Sequence, residues 1–68
     1  MTDFAERLKE LRTERGLTMK QVADAIGVSM MAISQWESRN RLPNINAVIA
    51  LAKFFDVSTG QLLGTEDL

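Results

Sequence analysis

The stretch "TMKQVADAIGVSMMAISQWE", Thr18 to Glu37, constrains the fold more than any other part of this chain. It holds two helical patterns, "MKQVADAIG" and "MMAISQWESR", the second running on to Arg39, and only Gly27-Val28-Ser29 lies between them. The first pattern spans about two turns. Thr18 and Ser29 stand where each helix needs a side-chain oxygen for its free N–H groups. Gly27 takes a turn conformation that residues with side chains resist. Ala23 is small enough to let the two helices approach, and Val28 and Ile33 anchor both ends of their crossing.

Three further helical segments flank this unit. Thr2 or Asp3 can cap the first, where Phe4, Leu8 and Leu11 repeat at i, i+4 and i+7. "RTERGL" ends it, with basic residues in the last turn and Gly16 as a left-handed stop. Asn44, just after Pro43, caps "INAVIALAKFF", and Ser58 caps a short "TGQLLG". No period-two alternation marks a strand. The expected fold is all-α, a compact five-helix domain over residues 1–68, with its core in about 4–63 and 64–68 fraying. The fourth segment is apolar on more than one side: Ile45, Val48, Ala52 and Phe55 form one stripe, Ala47, Ala50, Leu51 and Phe54 another. Such a helix lies at the centre of a fold or at an interface. A chain of 68 residues buries one small core, so self-association would stabilise it.

Composition removes most enzymatic chemistry. The chain has no cysteine and no histidine, hence no disulfide, no thiolate metal site and no ordinary general base at neutral pH. Paired carboxylates and glycine-rich phosphate loops at a useful spacing are also missing. Neither an enzyme nor a bound metal, cofactor or small-molecule ligand is expected. No apolar run approaches membrane-spanning length, and "MTDFAERLKE" is acidic where a signal peptide would be basic and then apolar, so a cytoplasmic location is expected. The net charge of −1 argues against a nucleic-acid partner, because phosphate neutralisation supplies much of that affinity. Its distribution softens the objection. Residues 1–15 are balanced, 16–45 carry +1 and 46–68 carry −2.

Thr18 to Glu37 has the pattern of a helix-turn-helix, whose second helix can enter a major groove. Together with "RLKELRTERGLT", "VADAIGVS", "ISQWE", Pro43 after a short basic loop, and "LAKFFDVSTGQLL", it resembles the Cro/C1-type (Xre) helix-turn-helix family of phage and bacterial repressors. The resemblance runs from about Phe4 to Leu63. It implies base contacts from Ser29, Met30, Met31, Ser34 and Gln35. It implies phosphate contacts from Thr18, Met19 and Lys20 and from the loop Ser38-Arg39-Asn40-Arg41. It also implies an ion pair between Arg12 and Glu37 that is structural rather than catalytic.

The chain departs from the family at three places. Met19 stands where Gln is usual, which weakens the contacts expected there. Ser38-Arg39 replaces the usual Asn-Gly, so Asn40 is expected to take the left-handed position, which Asn tolerates better than Arg. Met30 and Met31 stand where polar residues are common. Ile33 and Trp36 should face the core, leaving both methionines mostly outside that stripe. Gln35 falls one turn after Met31 on the same face and can bond adenine through two atoms. A thioether's only apolar target in a major groove is the thymine methyl, for which Met31 is the better candidate; Met30 could instead lie along the sugar-phosphate backbone.

The expected function is sequence-specific binding of double-stranded DNA by a transcriptional regulator, a repressor acting as a homodimer on a pseudo-palindrome. Phe54, Leu63 and Leu68 are the candidate dimer contacts. The rival reading is a protein-interaction module with this fold and weak DNA binding, antitoxin-like or an antirepressor. The charge, Met19 and the two methionines favour that rival.

Overall fold

The computed structural model describes residues 2–68. It contains α1 (Phe4–Glu14), α2 (Met19–Ile26), α3 (Met30–Glu37), α4 (Ile45–Phe55) and α5 (Thr59–Leu63), with no strand among the described residues. A polar residue opens each helix: Asp3, Thr18, Ser29, Asn44 and Ser58 each accept a hydrogen bond from the backbone N–H three residues on. At α2 and α5 the bond is reciprocated, because Gln21 and Gln61 accept from the N–H of Thr18 and Ser58. α3 stops at Glu37, two residues short of the sequence-based end.

All five helices end in one way. Residues 16, 27, 39, 56 and 64 are left-handed, and the N–H that follows each bonds a carbonyl in the last turn. The pairs are Leu17 to Arg12, Val28 to Ala23, Asn40 to Gln35, Val57 to Ala52 and Thr65 to Gly60, all at 2.9–3.0 Å. Glycine fills three of these places; Arg39 (φ 66°) and Asp56 (φ 56°) fill the others. The expectation that Asn40 would be left-handed is therefore corrected by one residue. Once α3 ends at Glu37, the closing bond to Gln35 must come from Asn40, and the residue before that donor is the one that turns.

Each helix sends at least one fully buried side chain into a single core: Leu8, Val22, Ile33, Leu51 with Phe55, and Leu62. α1 packs on α3 and α5, α2 on α3 and α4, and α4 on α5. The core face of α4 is Ala47, Val48, Leu51, Ala52 and Phe55. Ile45, grouped above with one apolar stripe, is exposed. At 100° per residue it lies at the edge of the buried face, in the first turn.

Two arginines tie distant parts together. Arg7 is buried in α1 and donates from Nη1 to the carbonyls of Gln61 and Glu66, while its Nε faces Glu10 at 3.5 Å. Gln61 also donates to the Asp67 carbonyl at 3.0 Å, and Ser58 to the Glu66 carboxylate at 3.0 Å. Within residues 64–68, expected to fray, Gly64 to Asp67 hold hydrogen-bond partners. Arg12 joins three elements. Its Nε and Nη2 grip Glu37 of α3 at 2.7 and 2.9 Å, and its Nη1 donates to the Leu17 carbonyl at 2.9 Å. The two side chains are only 12% and 4% exposed, so the Arg12–Glu37 pair is largely sheltered from water.

Two substitutions check this account by urea or thermal unfolding. Asp56→Gly relieves the left-handed strain and removes a negative charge from the negative end of α4, so it should stabilise by about 1 kcal/mol, roughly 4 °C or more in a domain this small. Glu37→Gln leaves the sheltered Arg12 without its counter-charge and should cost about 3 kcal/mol. A cost near zero would show that the pair is dispensable.

Candidate nucleic-acid interface

α3 has two unlike faces because of its period. Ile33 and Trp36 are buried and fix it to the core. Met30 and Met31 are 56% and 67% exposed, and Ser34 is exposed one turn on. Gln35 is half-buried. Its carbonyl accepts from Asn40 N–H (3.0 Å) and the Ser38 hydroxyl (3.2 Å), while its side-chain amide makes no hydrogen bond among the described residues. That amide keeps both its donor and its acceptor. Ser29 uses its oxygen to accept from Ala32 N–H at 3.1 Å, which leaves its O–H available as a donor.

The chain brings one flank to each side of α3. Met19, at the start of α2, lines a shallow depression with Ser34 and Ser38. On the other side the segment Arg41 to Asn44 lies against Ala32 and Trp36. Met19 itself packs on the core, so what it offers outward is the free N–H of a first helical turn. Thr18 is occupied in capping. Phe54, Leu63 and Leu68 lie elsewhere, at 40%, 40% and 54% exposure, with Phe54 edge-on to Phe55 at a ring separation of 5.0 Å.

The cations flanking α3 behave differently from one another. Lys20 Nζ holds Asp24 at 2.9 Å, a hydrogen bond that raises the lysine pKa. Arg39 turns back onto α1: its Nε donates to Asp3 at 2.7 Å, and its Nη2 to Asp3 at 3.2 Å and to Glu6 at 3.1 Å. Arg41 has no carboxylate partner among the described residues. The Lys20–Asp24 pair was legible as an i,i+4 spacing. The Arg39 pairs join residues 36 and 33 positions apart, and no local signal marks them.

Among the described residues there is no cluster of three metal-ligating side chains, and no helix is long and apolar enough to cross a membrane. Asp3 is held below its ordinary value of 3.8, first by the Arg39 hydrogen bond and then by the N–H of Glu6. A depressed carboxyl contributes stability that is fully present above the unfolded value and is lost as pH falls through the folded one. In an NMR titration, Arg39→Gln should move the Asp3 midpoint up toward 3.8. An unchanged midpoint would assign the whole effect to helix capping.

The chain is 42% identical over 66 residues to the transcriptional activator BcrR of Enterococcus faecalis, covering 97% of this chain and 32% of that protein. It is 31% identical over 64 residues to the cryptic phage CTXphi transcriptional repressor RstR of Vibrio cholerae, covering 94% of this chain and 58% of that one. The chain thus spans between a third and three-fifths of the length of these two relatives. Its backbone is similar to that of the P22 c2 repressor crystallised with a synthetic operator, with a TM-score of 0.89 at 30% identity over 97% of this chain and 100% of that one. A family model described as helix-turn-helix matches residues 8–62. The chain belongs to the Cro/C1-type helix-turn-helix family.

Proposed function

We propose that this chain binds double-stranded DNA sequence-specifically as a homodimer and regulates transcription, as a repressor that occludes a promoter. The observation that carries this reading is the outward row on α3. Met30, Met31 and Ser34 are exposed and Gln35 has an uncommitted amide, while Ile33 and Trp36 hold the helix rigidly from behind. A fixed helix with free side chains on one face is what major-groove readout requires. Likeness to a repressor crystallised on its operator supports the same reading.

The roles follow from the chemistry. Gln35 pairs with adenine through its amide. Met31, with Met30 beside it or on the sugar-phosphate backbone, packs on thymine methyls. Ser29 and Ser34 offer hydroxyls to base edges. Phosphates meet the start of α2 (Thr18, Met19 and Lys20) on one side and Ser38, Arg39, Asn40 and Arg41 on the other. Phe54, Leu63 and Leu68 form the contact between two copies, which sets half-sites about one helical turn apart. On this reading the protein works in the cytoplasm, as a binding protein and not an enzyme.

Selection from random duplex at two salt concentrations tests it. The expected product is a two-fold motif rich in A and T near the half-site centres. Gln35→Ala should lose preference at one position per half-site, at a cost of about 1–3 kcal/mol there, with non-specific binding kept. Uniform weakening would contradict a base-reading role, and no enriched motif at all would favour a protein-interaction module.

A further inference from the structure

Of the three cations assigned above to phosphate, Lys20, Arg39 and Arg41, two are already neutralised inside the chain. Arg39 makes three charge-assisted hydrogen bonds, two to Asp3 and one to Glu6, and Lys20 holds Asp24 one turn along α2. Carboxylate and phosphate oxygens compete for the same donors, since a guanidinium accommodates either with paired N–H bonds. All five side chains are more than half exposed. Such pairs are screened and individually weak. A phosphate can therefore displace the carboxylate, but it must first undo the internal bonds.

We propose that Asp3, Glu6 and Asp24 are internal counter-ions that compete with duplex phosphate for Arg39 and Lys20. Non-specific binding depends on phosphate contacts alone, so it carries the full cost of this competition. Contacts from α3 to base edges do not involve these carboxylates. The competition therefore lowers affinity for any duplex while leaving the discrimination between sequences to α3. On this proposal a domain of net charge −1 can use Lys20, Arg39 and Arg41 on phosphate and still hold unrelated DNA weakly. The inference rests on the DNA-binding reading above and adds a determinant of overall affinity to it.

The test measures binding to random-sequence duplex across a salt series. Asp3→Asn with Glu6→Gln removes both carboxylates at Arg39, and asparagine still caps α1. Asp24→Asn does the same for Lys20, independently and on another helix. Each should tighten binding about threefold to tenfold at low salt and steepen the salt slope by about 0.9 for each cation released. In an Arg39→Gln background the first pair of changes should alter affinity by less than about twofold, and Asp24→Asn likewise in a Lys20→Gln background. Melting curves confirm that each variant is folded. An equal gain in the cation-free backgrounds would mean that general charge is at work, and would overturn the proposal. So would a wild type that binds duplex while the folded variants bind it no better. If neither wild type nor any variant retains duplex at low salt, the DNA-binding reading fails as well.

Discussion

Arg12 stands where three elements meet, and α3 depends on it for its position. Its guanidinium has five donors in a rigid plane. Two of its nitrogens close on Glu37 and a third reaches the carbonyl of Leu17. α1, the connection into α2 and the end of α3 are thereby fixed to one planar group. The pair lies mostly out of water, where an ion left alone is costly, so the geometry is nearly all-or-none. Arg12 is held charged by the Glu37 hydrogen bond. Ile33 and Trp36 press α3 onto the core along its length, and Arg12 fixes its far end. What remains free is rotation of the outward side chains, and the proposed readout of base edges would use that freedom.

Electrostatics and apolar contact divide the work at this surface. A chain with eight basic and nine acidic residues has little positive field with which to attract DNA from a distance. Lys20, Arg39 and Arg41 flank α3 in sequence, while α3 itself carries two exposed thioethers and an amide. Exposed methionines cost free energy in water and recover it only against an apolar partner. Their presence shifts the balance from long-range attraction toward close-range fit. Internal pairing of Lys20 and Arg39 acts in the same direction.

The starts of the helices were legible, the first to within one residue (Thr2 or Asp3), because an N-cap is a local event: Thr18, Ser29, Asn44 and Ser58 needed only their own next three residues. The outward face of α3 was legible for a similar reason, since the helical period separates Ile33 and Trp36 from Met30 and Met31. Hydrogen-bond register was harder to read. Asn40 looked the better left-handed residue by its chemistry, but the place where α3 ends gave that role to Arg39. Pairing over long separations was legible only where the family resemblance supplied it, as for Arg12 and Glu37. Nothing near Arg39 points to Asp3 or Glu6. Arg7 sits at i+3 from Phe4 in an apolar stripe, a hint of burial that does not name the carbonyls of Gln61 and Glu66 as its partners.

The Arg7 bonds have a mechanical consequence. The Thr2 carbonyl lies so close to Gly64 that a side chain there would collide with it. Arg7 also lines a hollow with Thr2, Gly64, Thr65 and Asp67. The first and last described segments thus share one corner, to which α2 and α3 contribute no residue. The backbone runs out from that corner, through α2 and α3, and back, like a bead threaded and tied at a single point. Tension applied at the two ends would load the knot of Arg7, Gln61 and Glu66 before it reached α2 and α3.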